Sequence, residues 1–131
     1  MKYRFSNKSI ARLNTCDKQL WNVMNDVLNY FDISILDGYR DRERQDNLFR
    51  LKATRVEYPG SKHNVLPSKA VDVAPYPINF NDIERYYFLA GLVKVISEKM
   101  AIKIRWGGDW NGDNDFKNQH FYDLGHYELI E

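Results

Sequence analysis

The sequence predicts an α+β fold in which a small antiparallel sheet packs with helices. Three observations favour this class: helical and strand-like segments alternate only loosely, the strands are short, and the last ones lie close together as in a hairpin. This pattern favours an antiparallel sheet over a doubly wound parallel one. With 131 residues, of which 44% are hydrophobic, the chain is expected to fold as a single domain over residues 1–131.

The spacing of apolar residues assigns the individual elements. It predicts helices over residues 17–30, over 42–52 and from 81 onward, and strands over 32–36, 69–74, 102–106 and 125–130. Thr15 is the predicted N-cap of the first helix. In the charged second helix, Leu48 and Leu51 are expected to face inward. Asn81, followed three residues later by Glu84, is typical of a capping box at the start of the third helix.

The charge balance argues against several classes of partner. Lysine and arginine total 19, aspartate and glutamate total 18, and the net charge is +1, so no dominant field for nucleic acid or membrane is expected. A single cysteine, Cys16, excludes an intramolecular disulfide and a cysteine-rich zinc site. No apolar stretch is long enough to insert across a membrane, and the N-terminus lacks the apolar region of a signal peptide. We therefore expect a cytoplasmic protein without nucleic-acid or membrane partners.

Two of the three histidines are placed to bind a metal. His63 precedes the predicted strand that carries Asp72, and His126 opens the last strand. Two imidazoles and one carboxylate are a common ligand set for catalytic zinc, and ligation would offset the cost of burying Asp72 in mid-strand. The alternative is that these residues are turn caps or surface groups. His120 lies in a polar loop and is expected to be solvated.

Three further residues suit the chemistry of hydrolysis. Asp123, three residues before His126, could take and return a proton, or it could simply form a turn into the last strand. Glu128 shares a strand face with His126 and either orients that ring or faces solvent. Arg40 could bind a carboxylate or polarise a carbonyl, with a surface salt bridge as the alternative.

An acidic loop over residues 109–115 leaves a second cation site as an open alternative. It contains Asp109, Asp113 and Asp115 but lacks an EF-hand pattern, so a site there is the less favoured interpretation.

Several motifs in combination resemble a family of zinc peptidases that includes VanY-type D,D-carboxypeptidases and phage L-alanyl-D-glutamate endolysins. The motifs that carry the resemblance are Ser61-Lys-His63, Ala70-Val-Asp72-Val-Ala-Pro-Tyr76 and Tyr122-Asp-Leu-Gly-His126-Tyr-Glu-Leu129. Three more segments resemble the phage branch: Arg12-Leu-Asn-Thr15, Gly38-Tyr-Arg40 and Ile104-Arg-Trp-Gly-Gly-Asp-Trp110. The resemblance covers nearly the whole chain and implies a Hedgehog/D,D-peptidase-like fold.

The resemblance also implies a role for each candidate residue. The implied ligands of Zn²⁺ are His63, Asp72 and His126. Asp123 would be the general base, Arg40 would help to bind the scissile carbonyl, and Ser61 would support the site near His63. The interval from His63 to Asp72 is longer than in the common family form, and the extra length before the strand is expected to reshape the substrate cleft without moving either ligand.

The function that the resemblance implies is hydrolysis of the L-Ala–D-Glu bond in the stem peptide of peptidoglycan. A D,D-carboxypeptidase that removes terminal D-Ala and a non-catalytic zinc-binding module are the alternatives. We expect a monomer without a separate cell-wall-binding domain, held in the host cytoplasm until it is released to the wall.

Overall fold

In a computed structural model, which describes residues 2–131, helices surround a four-stranded sheet. The helices are α1 (Asn7–Leu13), α2 (Lys18–Val27), α3 (Arg42–Arg50) and α4 (Ile83–Lys99), with a short 3-10 turn at Lys62–Asn64. The strands are β1 (Ile33–Asp37), β2 (Ala70–Pro75), β3 (Ile104–Trp106) and β4 (His126–Leu129). The predicted α+β class is confirmed. No helix in the described part of the chain is long and apolar enough to cross a membrane.

The sheet is antiparallel throughout, and its strand order is β1-β2-β4-β3. Asp72 of β2 lies directly opposite His126 of β4, whereas Val71 lies opposite Tyr127. Because successive side chains of a strand point to opposite faces, one face of the sheet carries Asp72 and His126 and the other carries the apolar residues. The register of β2 with β4 therefore places two of the predicted ligands side by side.

The apolar face of the sheet forms the core with α2 and α4. The buried side chains on this face of the sheet are Ile33, Ile35, Val71, Val73, Tyr127 and Leu129, and those of the helices include Leu20, Met24, Val27, Leu89, Val93 and Ile96. Each large apolar side chain removed from water contributes about 1.5–3 kcal/mol. This core supports the opposite, polar face of the sheet.

Helix α1 was not predicted, because its short sequence shows little apolar periodicity. Ser6 caps it by accepting a hydrogen bond from the amide of Ser9. The Ser9 hydroxyl in turn accepts a hydrogen bond from the amide of Ile35 at 2.9 Å, which attaches the helix to β1. Polar contacts of this kind leave no periodic signal in a sequence.

Two predicted helix caps are wrong. The N-cap of α2 is Asp17, whose carboxylate accepts the amide of Gln19, while the Thr15 hydroxyl bonds instead to the backbone of Arg12. The N-cap of α4 is Asp82, which makes no side-chain cap, so the capping box predicted at Asn81 is absent.

The inward-facing residue of α3 is polar. Leu51 was expected to face inward, but the helix ends at Arg50 and Leu51 is 70% exposed. Gln45 is fully buried instead, where its amide donates to the Val56 carbonyl and its oxygen accepts from Asn64. A buried glutamine therefore joins α3 to the loop that follows it and to the 3-10 turn.

Candidate metal centre and active site

The structure brings His63, Asp72 and His126 together on the polar face of the sheet. His63 lies on the 3-10 turn, Asp72 in the middle of β2, and His126 at the start of β4. Each offers one ligand atom, and these atoms all lie within 4.8 Å of one another. Three residues that are far apart in sequence therefore form one candidate metal centre.

The ring of His63 is oriented by its surroundings. Nδ1 lies 2.6 Å from the carbonyl oxygen of Gly38, which assigns the donor proton to that nitrogen. Nε2 is then left facing Asp72 at 3.3 Å from Oδ1, without a hydrogen-bond partner within residues 2–131. The residue is only 1% exposed. Because a buried polar atom without a partner is costly, this free lone pair suits a metal.

Both nitrogens of His126 meet carboxylates. Nδ1 lies 3.0 Å from Asp72 Oδ1, and Nε2 lies 2.8 Å from Glu128 Oε1. Burial lowers the pKa of His126, but these two hydrogen bonds outweigh burial and raise the pKa to about 9. Glu128 is itself held by Lys62 and Arg105, each at 3.4 Å. Glu128 therefore fixes the ring of His126 from the side away from the centre, as carboxylates commonly do for metal-binding histidines.

Asp72 is held on both of its oxygens. Oδ1 faces the two histidines, and Oδ2 accepts a hydrogen bond from Arg40 Nη2 at 2.7 Å. Burial would raise the pKa of Asp72, but the hydrogen bond from His126 and the proximity of His63 hold it far below its usual range. Asp72 is therefore ionised at any pH at which the protein is expected to work.

Arg40 is largely covered rather than exposed at the surface. Its side chain is 11% exposed and also donates from Nε to Asp37 Oδ2 at 2.6 Å. The carboxylate of Asp37 also accepts a hydrogen bond from the guanidinium of Arg44 at 3.1 Å. Arg40 thus positions the candidate ligand Asp72, and its predicted contact with a substrate carbonyl stays a prediction.

Ser61 organises the turn that carries His63. Its hydroxyl accepts the amide of His63 at 3.1 Å, and its own amide donates to Asn64 Oδ1 at 3.0 Å, which completes a capping box. The amide of Arg40 donates to the His63 carbonyl at 2.7 Å. The supporting position expected for Ser61 therefore corresponds to defined contacts.

Asp123 lies beside the centre, on the segment that leads into β4. Its amide donates to the Gly107 carbonyl at 2.9 Å, and its carbonyl accepts from the amide of His126 at 3.0 Å. Although the residue reaches solvent, partial desolvation and the negative charge of Asp72 raise the pKa of its carboxyl. A carboxyl whose pKa is raised holds a proton more readily than an ordinary aspartate, which suits a group that must both accept and release one.

An aromatic wall, formed by Trp110 and Phe121, stands next to His126. The Trp110 ring lies 5.5 Å from the His126 ring and stacks on Phe121 at 5.2 Å. The guanidinium of Arg55 covers Phe121, with its carbon 4.5 Å from the ring centre. The sequence analysis did not identify this wall, since no local pattern joins Arg55 to Trp110 and Phe121.

His120 and the acidic loop lie outside the centre. His120 is exposed, as expected. In the loop, the oxygens of Asp109, Asp113 and Asp115 accept nearby backbone amides. Among the described residues, these carboxylates do not form a cluster of the kind made by His63, Asp72 and His126.

Comparison with known proteins defines the class of this protein as a peptidase. A model of the family described as phage L-alanyl-D-glutamate peptidase matches residues 1–130. The chain belongs to this family. The L-alanyl-D-glutamate peptidase of Escherichia phage T5 is 28% identical over 139 residues, which cover 99% of this chain and 100% of the phage T5 protein.

A solved structure gives the same result. The crystal structure of the Serratia marcescens L-Ala D-Glu endopeptidase ChiX matches with a TM-score of 0.78 and 25% identity, over 98% of this chain and 91% of that one. The predicted family, the D,D-peptidase-like fold and the enzyme class are confirmed, and the predicted activity is confirmed at the level of the family.

Proposed function

We propose that this protein is a zinc-dependent peptidoglycan endopeptidase that hydrolyses the L-Ala–D-Glu bond of the stem peptide. The observation that carries the zinc assignment is the buried Nε2 of His63, which has no partner in residues 2–131 and faces Asp72. Two imidazole nitrogens and one carboxylate oxygen fit zinc in both number and chemistry. They also leave a coordination position open, as a catalytic site requires.

The chemistry of hydrolysis divides between the metal and the side chains. When bound, zinc would polarise the scissile carbonyl and make water more acidic. Asp123 takes the proton of the attacking water and then delivers it to the amine nitrogen of D-Glu as the C–N bond breaks. The raised pKa of its carboxyl supports both steps, because the group can hold the proton between them.

The remaining site residues act by positioning others. Glu128 holds the ring of His126, Arg40 holds the outer oxygen of Asp72, and Ser61 holds the turn that carries His63. Residues that orient metal ligands usually change metal affinity when they are replaced. We therefore assign no direct contact with substrate to Glu128 or Ser61.

Digestion of purified peptidoglycan tests the proposal. The protein is incubated with and without a chelator and with added zinc, and the products are read by mass spectrometry. We expect zinc-dependent release of peptides with a new N-terminal D-Glu. Loss of D-Ala alone would establish a D,D-carboxypeptidase instead. One bound zinc without any product would indicate a non-catalytic binding module.

The variant Asp123→Asn tests the proton carrier. It should bind one zinc per chain and unfold at the wild-type temperature, but turnover should fall by about 10²–10⁴-fold. Asp46→Asn, which changes an exposed carboxylate on α3, is the matched control and should keep full activity. Normal turnover in Asp123→Asn would remove this residue from the mechanism.

Several expectations stay predictions. They are a monomeric state, a single domain without a wall-binding module, no binding of nucleic acid, and a cytoplasmic location before release to the wall. Light scattering of the purified protein tests the first of these directly.

A further inference from the structure

A stack of planar groups runs from the surface to the candidate metal centre. Arg55 lies over Phe121, Phe121 stacks on Trp110 with an interplanar angle of 28°, and Trp110 lies beside the ring of His126. The indole N–H of Trp110 also donates to the Phe121 carbonyl at 3.1 Å, which ties the two aromatic residues together. The guanidinium of Arg55 is thereby held on the wall of the site.

Arg55 differs from the other cations around the centre in having no anionic partner. The paired cations are Arg40 with Asp37 and Asp72, Arg44 with Asp37, and Lys62 and Arg105 with Glu128. Arg55 is exposed and makes no ion pair within residues 2–131. A guanidinium that stacks by its face keeps its N–H edges free, and these edges match the two oxygens of a carboxylate.

The proposed substrate carries such a carboxylate; this inference rests on the proposed function. A D-Glu residue has two carboxyl groups, and only one of them continues the chain, so the other is free unless it is amidated. We propose that Arg55 binds the free carboxylate of D-Glu and selects stem peptides in which this group is not amidated.

The test compares two synthetic peptides that differ only in this carboxylate, one with free D-Glu and one with its amide. For Arg55→Gln, we expect kcat/KM on the free acid to fall by about tenfold, mainly through KM, as for loss of a hydrogen bond to a charged group. On the amide, the variant and the wild type should agree within about twofold, since no charge is there to be lost. Arg55→Lys keeps the positive charge but not the planar guanidinium. Its kcat/KM on the free acid should therefore lie between those of the wild type and Arg55→Gln.

Arg42→Gln is the matched control. Arg42 also stacks on an aromatic ring, with its guanidinium carbon 4.7 Å from the centre of Tyr58, but that ring is not part of the wall. The Arg42→Gln variant should hydrolyse both peptides with the kcat/KM of the wild type. An equal loss of kcat/KM on both peptides in Arg55→Gln would show that Arg55 only supports the wall. An unchanged kcat/KM on both peptides would show that Arg55 does not contribute to substrate binding. Both results overturn the proposal.

Failure of the proposed function would be seen separately. If the wild type cleaves neither peptide, calorimetry on the zinc-loaded wild type and Arg55→Gln still measures binding of both peptides. If the wild type binds the free acid more tightly than the amide and Arg55→Gln does not, Arg55 binds the carboxylate even though no turnover is seen. Equal binding of both peptides by the wild type would refute it.

Discussion

Gly107 lies where any side chain would displace the proposed proton carrier. It follows β3, its amide donates to the His126 carbonyl, and its carbonyl accepts the amide of Asp123, both at 2.9 Å. A Cβ at Gly107 would lie 2.1 Å from the Asp123 carbonyl oxygen, whereas ordinary contact begins at 3.4 Å. The difference, 3.4 − 2.1, means that in Gly107→Ala the Asp123 backbone must retreat by about 1.3 Å. A misplacement of about 1 Å in a catalytic group can cost about 100-fold in rate.

We therefore expect Gly107→Ala to lose about 100-fold in kcat with little change in KM. It should still bind one zinc, because the ring of His126 stays held by Asp72 and Glu128. The assay is steady-state hydrolysis of an L-Ala–D-Glu peptide, normalised to protein that binds zinc, so that a poorly folding fraction does not count. Gly91→Ala is the control: a Cβ there meets nothing within 4 Å, and alanine should stabilise α4 by about 0.5–1 kcal/mol without changing kcat. Wild-type kcat in Gly107→Ala would refute the reasoning.

Three further outcomes follow from the site and the core. Glu128→Gln should weaken zinc binding by about 10–100-fold in a competition assay with a chelator, whereas Glu131→Gln, at an exposed carboxylate, should not. The pKa of His126 is raised to about 9 in the metal-free protein, so this proton must leave when zinc binds. Calorimetry in buffers of different ionisation enthalpy should therefore show about one proton released near pH 7, and affinity should weaken by up to about tenfold for each pH unit lowered; a pH-independent affinity would contradict this. Burial raises the pKa of the Cys16 thiol to about 12, so a thiol reagent should react with unfolded but not with folded protein.

The raised pKa of His126 also fixes the sign of a stability effect in the metal-free protein. A histidine whose folded pKa exceeds its unfolded value stabilises the fold when it is protonated. This contribution is fully present below about pH 6.5 and is lost as the pH rises towards about 9. The metal-free protein should therefore unfold more easily in that alkaline range.

The sequence predicted the residues of the centre better than it predicted their surroundings. The residue types of His63, Asp72 and His126 made them candidates for zinc, with turn caps or surface groups as the alternative, and the resemblance implied them as one ligand set. The partners of these residues are long-range: Arg40 reaches Asp72 across the β1–β2 pair, and no periodicity reports such a contact. Arg40 was expected to bind a substrate carboxylate or to polarise a carbonyl, and the structure shows which carboxylates of the protein it contacts.

The errors in the fold have a similar cause. The N-cap of α2 was assigned to Thr15, but its hydroxyl donates to the backbone carbonyl of Arg12, and Asp17 caps the helix instead. Leu51 was placed inward by helical spacing, but the inward position of α3 belongs to Gln45, whose buried amide is satisfied by groups distant in sequence. Tertiary contacts override local patterns at both places.

The strand order has a consequence for how the protein assembles as it is synthesised. β4 follows every other described element in the chain, yet it lies between β2 and β3 in the sheet. Until β4 emerges, the facing edges of β2 and β3 have no partner, and a nascent chain that already contains His63 and Asp72 still lacks the residue that closes the metal site. A chain that stops before β4 should therefore expose two unpaired strand edges and lack one of the three candidate ligands, so we expect it to be inactive.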